Sequence, residues 1–192
     1  MLEWQALGVR WRLSLLFPAL VTALLLQQPD GAAVTCILAS LLHEGGHLLA
    51  MLCTGCPPHA CTVGAFGARL EMGRASLTGY GKNMLISLAG PAVNLLAAGI
   101  LGCFARYEMA VVHLCLGAFN LLPAVPLDGG EILRCVLCLL GQEGRAERVL
   151  RVLSAAVLLP LAGLAAWLML TGRGNITLLI VSLYAVCLVF FS

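Results

Sequence analysis

Apolar residues in this chain gather in long runs and not in the short amphipathic periods of a soluble domain. Six runs stand out, at residues 13–27, 33–53, 84–105, 109–127, 149–171 and 176–191, with charged residues almost confined to the gaps between them. A bilayer core of about 30 Å takes about 20 residues of helix. The middle four runs come close to that length, and the first and last are shorter. The pattern predicts an all-α polytopic membrane protein of six transmembrane helices, with residues 1–192 forming one compact domain without internal repeats. Between the second and third runs, CTVGAFGARLEMGRASLTGY (61–80) has short alternating segments separated by glycines. It reads either as a small β-hairpin or sheet at the cytosolic membrane surface or as an irregular linker. Residues 131–151 carry Glu131, Arg134, Glu143, Arg145, Glu147, Arg148 and Arg151 around Gly141 and Gly144, which predicts an interfacial helix and a loop.

Composition agrees with the pattern. Of 192 residues, 61% are hydrophobic and 10% charged, too few charges to cover a soluble surface. A net charge of +2 and the lack of any basic cluster interleaved with aromatics argue against nucleic-acid binding. The hydrophobicity argues against extended disorder. With the N-terminus in the cytosol, Arg10, Arg12, Arg69, Arg74, Lys82, Arg134, Arg145, Arg148 and Arg151 all fall inside, and only Arg106 and Arg173 fall outside. Both termini are therefore expected in the cytosol. Arg10 and Arg12 before the first run resemble a signal peptide, but Gln27, Gln28, Pro29 and Asp30 follow where small residues would be needed, so a retained helix is expected.

The nine cysteines lie mostly inside apolar runs, where Cys behaves as a small hydrophobe, and a secreted disulfide framework is not expected. One cluster, Cys53, Cys56, His59 and Cys61, has spacing that could chelate a metal, but two prolines interrupt it and it reads more readily as a membrane-exit loop rich in small residues.

The second run contains His43, Glu44, Gly45, Gly46 and His47. Residues four apart on a helix lie about 40° apart around its axis, so both imidazoles can reach one zinc ion, with Glu44 beside them to carry protons. Such groups in hydrocarbon cost several kcal/mol unless they have partners or water. The two glycines weaken the helix by about 1 kcal/mol each and admit a close neighbouring backbone.

A catalytic zinc takes three protein ligands and keeps one position open. The fourth run ends in Asn120, Leu121, Leu122, Pro123, Ala124, Val125, Pro126, Leu127, Asp128, Gly129, Gly130, at the cytosolic side. His47 lies six residues before Cys53, about 9 Å along a helix, so Asp128 and the histidines share a depth. Asp128 can be the third ligand or a helix cap beside two glycines. Pro123 and Pro126 break the helix, which is tolerable only where protein or water surrounds the chain. Asn120 suits a hydrogen bond to a substrate carbonyl, and equally a plain interhelical bond. His113 shares its helix face but lies nearer the outer side, as a structural or pore-lining residue. In the third run Ala89, Gly90, Pro91, Ala92, Val93, Asn94 combine a kink, a close-packing glycine and one amide that is a second candidate for substrate contact.

At these residues the chain resembles the site-2 protease family of intramembrane zinc metalloproteases. HEGGH at 43–47, AGPAVN at 89–94 and NLLPAVPLDGG at 120–130 occur in the family's order. The resemblance implies that His43, His47 and Asp128 bind one Zn2+ and that Glu44 activates water. The segment between the second and third runs is too short for the PDZ domain of larger members. The layout is most similar to the family's compact sporulation proteases, which act on a membrane-bound sigma-factor precursor; those relatives continue into a nucleotide-sensing CBS domain, and this sequence ends at Ser192.

The expected function is zinc-dependent endopeptidase cleavage of a membrane-tethered protein within or beside a transmembrane segment, in a bacterial cell membrane, with other membrane proteins as regulatory partners. An unwound substrate segment would pair with the 61–80 region as an added strand. The rival is a noncatalytic zinc-binding membrane protein, a carrier or a pseudoprotease. Glu44 argues against it, because a carrier needs ligands and no adjacent base.

Overall fold

The computed structural model describes residues 2–6, 9–13, 31–64, 67–72 and 79–171. The first and sixth expected spans lie outside these residues, except for Leu13, which closes a strand. The described residues belong to two compact units, one up to Ala118 and one from Phe119.

The first unit opens with β1 (Leu2–Ala6) and β2 (Val9–Leu13), an antiparallel pair. Their sequences, LEWQA and VRWRL, alternate apolar and polar residues, the period of a strand. Glu3 sits opposite Arg12, and the two side chains form a 3.2 Å ion pair. Next comes α1 (Ala32–Cys53), then β3 (Pro58–Gly64) and β4 (Gly67–Met72). β3 pairs antiparallel with β4 and parallel with β2, giving a four-stranded sheet in the order β1-β2-β3-β4. Parallel strands need a long crossover, and the one between β2 and β3 contains α1. An Arg10 guanidinium N–H donates to His59 Nε2 at 3.0 Å across that pairing.

Two further helices follow, α2 (Tyr80–Cys103) and α3 (Tyr107–Asn120). α1 turns its two histidines inward and several of its leucines outward, the reverse of a helix at a watery surface. His43 and His47 are buried, whereas Leu38, Leu41, Leu49 and Leu52 are exposed. α1 and α2 cross at Gly46, where a β-carbon would lie 2.8 Å from the Ala89 carbonyl oxygen; Gly45 faces open space. At the cytosolic end expected for α1, Met51 and Cys56 pack on Ile86 of α2. The Lys82 ammonium donates to the Thr54 carbonyl at 3.1 Å, a cation at the negative end of the helix dipole.

In the second unit, helix ends at Asn120, short of the expected Leu127. Pro123 and Pro126 account for this, since neither can donate to a helical ladder. α4 (Asp128–Leu139) starts directly after, earlier than the expected interfacial helix, and α5 (Glu143–Leu170) begins after a break at 140–142. Gly141 in that break has φ of 74°, a conformation glycine adopts without strain. A β-carbon at Gly129 would collide with the Leu121 and Leu122 carbonyls, and one at Gly130 would lie 2.7 Å from the Ala124 oxygen, so the 121–125 backbone folds down onto the start of α4. The Val125 N–H donates to Ser154 Oγ at 2.8 Å, and buried Leu158 packs on Ala124.

Among the described residues α1, α2 and α5 are long and apolar enough to cross a membrane.

Candidate metal centre

α1 carries His43 and His47 about one turn apart, with Glu44 next to the first of them. Both histidines are nearly enclosed, 6% and 8% exposed, and their Nε2 atoms face each other at 3.1 Å. The rings meet edge to face, with centroids 4.7 Å apart and planes at 85°. Two nitrogens bound to one zinc at about 2.0–2.1 Å with a tetrahedral angle stand about 3.3 Å apart, so this pair needs little movement to share a metal.

The other ring nitrogens are held from α2. The His47 Nδ1–H donates to the Ile86 carbonyl at 2.7 Å. A carbonyl only accepts, so this bond keeps the proton on Nδ1 and leaves the Nε2 lone pair for a metal. His43 Nδ1 lies 3.3 Å from the carboxamide nitrogen of Asn94. The Asn94 oxygen in turn accepts from His113 Nδ1–H at 3.1 Å. Asn94 is fully buried, so the amide considered for substrate contact stands between two imidazoles.

Gly90 makes room for the pair. A β-carbon there would collide with His47 Nε2 and come within 2.9 Å of His43 Cε1. The two imidazoles therefore fill a cradle that only glycine leaves open, and their donor chemistry fits zinc.

Glu44 is half-buried on the same helix. Burial first, and then the negative charge of Glu44, push the Cys61 thiol above its ordinary range, which brings β3 into electrostatic reach of the glutamate. Among the described residues, Cys53, Cys56, His59 and Cys61 do not gather their ligand atoms at a common point. Cys56 donates to the Thr54 carbonyl, and His59 receives Arg10.

Asn120, the last residue of α3, and Asp128, the first of α4, are both half-buried in the second unit. Asp128 and Glu131 occupy the first turn of α4, where the helix dipole favours negative charge. Sequence reading missed the β1–β2 pair, although its alternation about Gly8 was a usable signal. It also missed the hold of Asn94 on His43, for which the sequence carried no signal.

Residues 104–162 match peptidase family M50. The chain is 32% identical over 136 residues to Rip3 of Mycobacterium tuberculosis, covering 63% of this chain and 34% of that protein. It is 30% identical over 109 residues to a zinc metalloprotease of Methanocaldococcus jannaschii, covering 50% of this chain and 31% of that protein. The chain thus spans about a third of the length of these relatives. In structure it resembles the site-2 protease from Methanocaldococcus jannaschii, with a TM-score of 0.70 and 20% identity over 96% of this chain and 91% of that one, a likeness of fold.

Proposed function

From the match of residues 104–162 to peptidase family M50 and the likeness to zinc metalloproteases, we propose that this chain is a site-2-type intramembrane zinc endopeptidase acting on membrane-tethered proteins. The observation that carries the proposal is the facing pair of Nε2 atoms, buried on α1, with Glu44 one residue from the first of them. His43 and His47 supply two ligands, and Asp128 supplies the third. A zinc bound by these residues would supply Lewis-acid polarisation of the scissile carbonyl and lower the pKa of a bound water to about 7.

Glu44 takes the proton from the attacking water and returns it to the leaving amine. The Asn120 carboxamide donates to the substrate carbonyl oxygen, an aid that grows as negative charge develops there. Burial excludes bulk water, which strengthens these interactions. A substrate helix has its amides bonded internally and must unwind first. β4 is an edge of the sheet and suits an extended segment as a fifth strand.

The six-span layout with both termini in the cytosol of a bacterial cell completes the proposal. The substrate class is a membrane-tethered protein, and a sigma-factor precursor is one member of that class.

The test is Glu44→Gln in the full chain, co-expressed with membrane-tethered candidate substrates. It should keep zinc near the wild-type level and lose nearly all cleavage. Cleavage at the wild-type rate with zinc retained would overturn the assignment of Glu44 and favour a noncatalytic zinc protein.

A further inference from the structure

Resting on the zinc assignment of His43 and His47, we infer that Asn94 is the positioning residue of His43, and that His113 decides which end of the Asn94 amide His43 meets. An imidazole that gives Nε2 to a metal carries its proton on Nδ1 and needs an acceptor there. For His47 the acceptor is the Ile86 carbonyl, which has no alternative orientation. For His43 the neighbour is a carboxamide, which has two. Its oxygen accepts from Nδ1–H and leaves Nε2 bare. Its nitrogen donates to Nδ1 and keeps the ring proton on Nε2, where it opposes ligation.

The geometry allows both orientations. The Asn94 nitrogen is 3.3 Å from His43 Nδ1, and its oxygen is 3.1 Å from His113 Nδ1. A half-turn of the amide exchanges the two atoms with little displacement of either position. What distinguishes the orientations is His113. With its proton on Nδ1 it demands the amide oxygen; with its proton on Nε2, its bare Nδ1 accepts from the amide nitrogen and turns the oxygen to His43. Every ring stays neutral throughout, so only the site of each proton changes.

The surroundings confine this choice. Asn94 is fully buried and His113 is 7% exposed, so water has little access to substitute for either partner. Gly117, one helical turn beyond His113, lets α3 approach the Asn94 side chain: a β-carbon at Gly117 would lie 3.3 Å from that of Asn94. The amide can rotate there but has little room to withdraw.

The experiment measures zinc affinity of the detergent-purified full chain by chelator competition. Asn94→Leu, which removes the acceptor, should weaken zinc by about 10- to 100-fold, the usual effect of losing a group that orients a metal-binding histidine. Asn94→Asp should bind at least as tightly as wild type, because both ends of a carboxylate accept. His113→Leu should weaken zinc several-fold in the wild-type background and much less in the Asn94→Asp background, where no amide end needs choosing. Equal losses from His113→Leu in both backgrounds, or unchanged affinity in Asn94→Leu, would overturn the inference while leaving the protease assignment standing. Absence of zinc binding by the wild type would overturn both. A second measurement needs no variant: with histidine labelled at the ring nitrogens and zinc bound, NMR should show His113 bare at Nδ1 and protonated at Nε2. A proton on Nδ1 of His113 in the zinc-bound chain would equally overturn the inference.

Discussion

Nε2 of His47 stands so close above Gly90 that a β-carbon at position 90 would collide with it. The nitrogen proposed as a metal ligand is therefore seated against the bare backbone of α2, and the other nitrogen of the same ring is tied to Ile86 one turn earlier on that helix.

Gly90→Ala should displace both imidazoles. The expected result is loss of most bound zinc, with a stability cost of about 1–3 kcal/mol from overpacking. Gly45→Ala is the matched control, since Gly45 faces open space and alanine favours a helix. Zinc content and thermal denaturation in detergent measure both effects, and normal zinc in Gly90→Ala would contradict the cradle.

Asp128→Asn preserves shape and removes charge. If Asp128 is the third ligand, zinc affinity should fall by considerably more than in His113→Leu, whose effect is indirect. Zinc retained at the wild-type level in folded, monodisperse Asp128→Asn would reduce Asp128 to a helix cap.

Cys61 offers a pH-dependent readout of Glu44. Burial raises its thiol pKa and the glutamate charge raises it further, so the reactive thiolate is scarce at neutral pH. Maleimide labelling of Cys61, followed by peptide mass spectrometry, should be slower than that of a free thiol at pH 7 and should accelerate as pH rises. Glu44→Gln removes one of the two causes, lowers the thiol pKa and should speed labelling at fixed pH. An unchanged rate would mean that β3 lies beyond the reach of the glutamate charge.

Orientation rests on the distribution of Lys and Arg. Reporter fusions after Gln28 and Gly172 should read external, and those after Arg74 and at Ser192 cytosolic. An external signal at Arg74 would invert the layout and remove the depth argument for Asp128.

By itself the sequence determined the solvent of this protein and the candidate residues for its chemistry. Long apolar runs cannot be covered by water, and His43, Glu44 and His47 at helical spacing place two imidazoles and a carboxylate on one turn, because both properties depend only on local order along the chain. The helices at Ala32–Cys53 and Tyr80–Cys103 follow from the same local rule. Tertiary structure decided what depends on contact between distant segments. The LEWQA and VRWRL alternation identifies strands, but only their pairing with Pro58–Gly64 shows the sheet to which they belong. Nothing local to AGPAVN tells whether Asn94 meets substrate or a histidine: the answer comes from the crossing of α1 with α2 and the approach of α3, which bury the amide between His43 and His113. Gly90 likewise reads in the sequence as a packing residue, and only the ring standing over it makes it part of the candidate metal site.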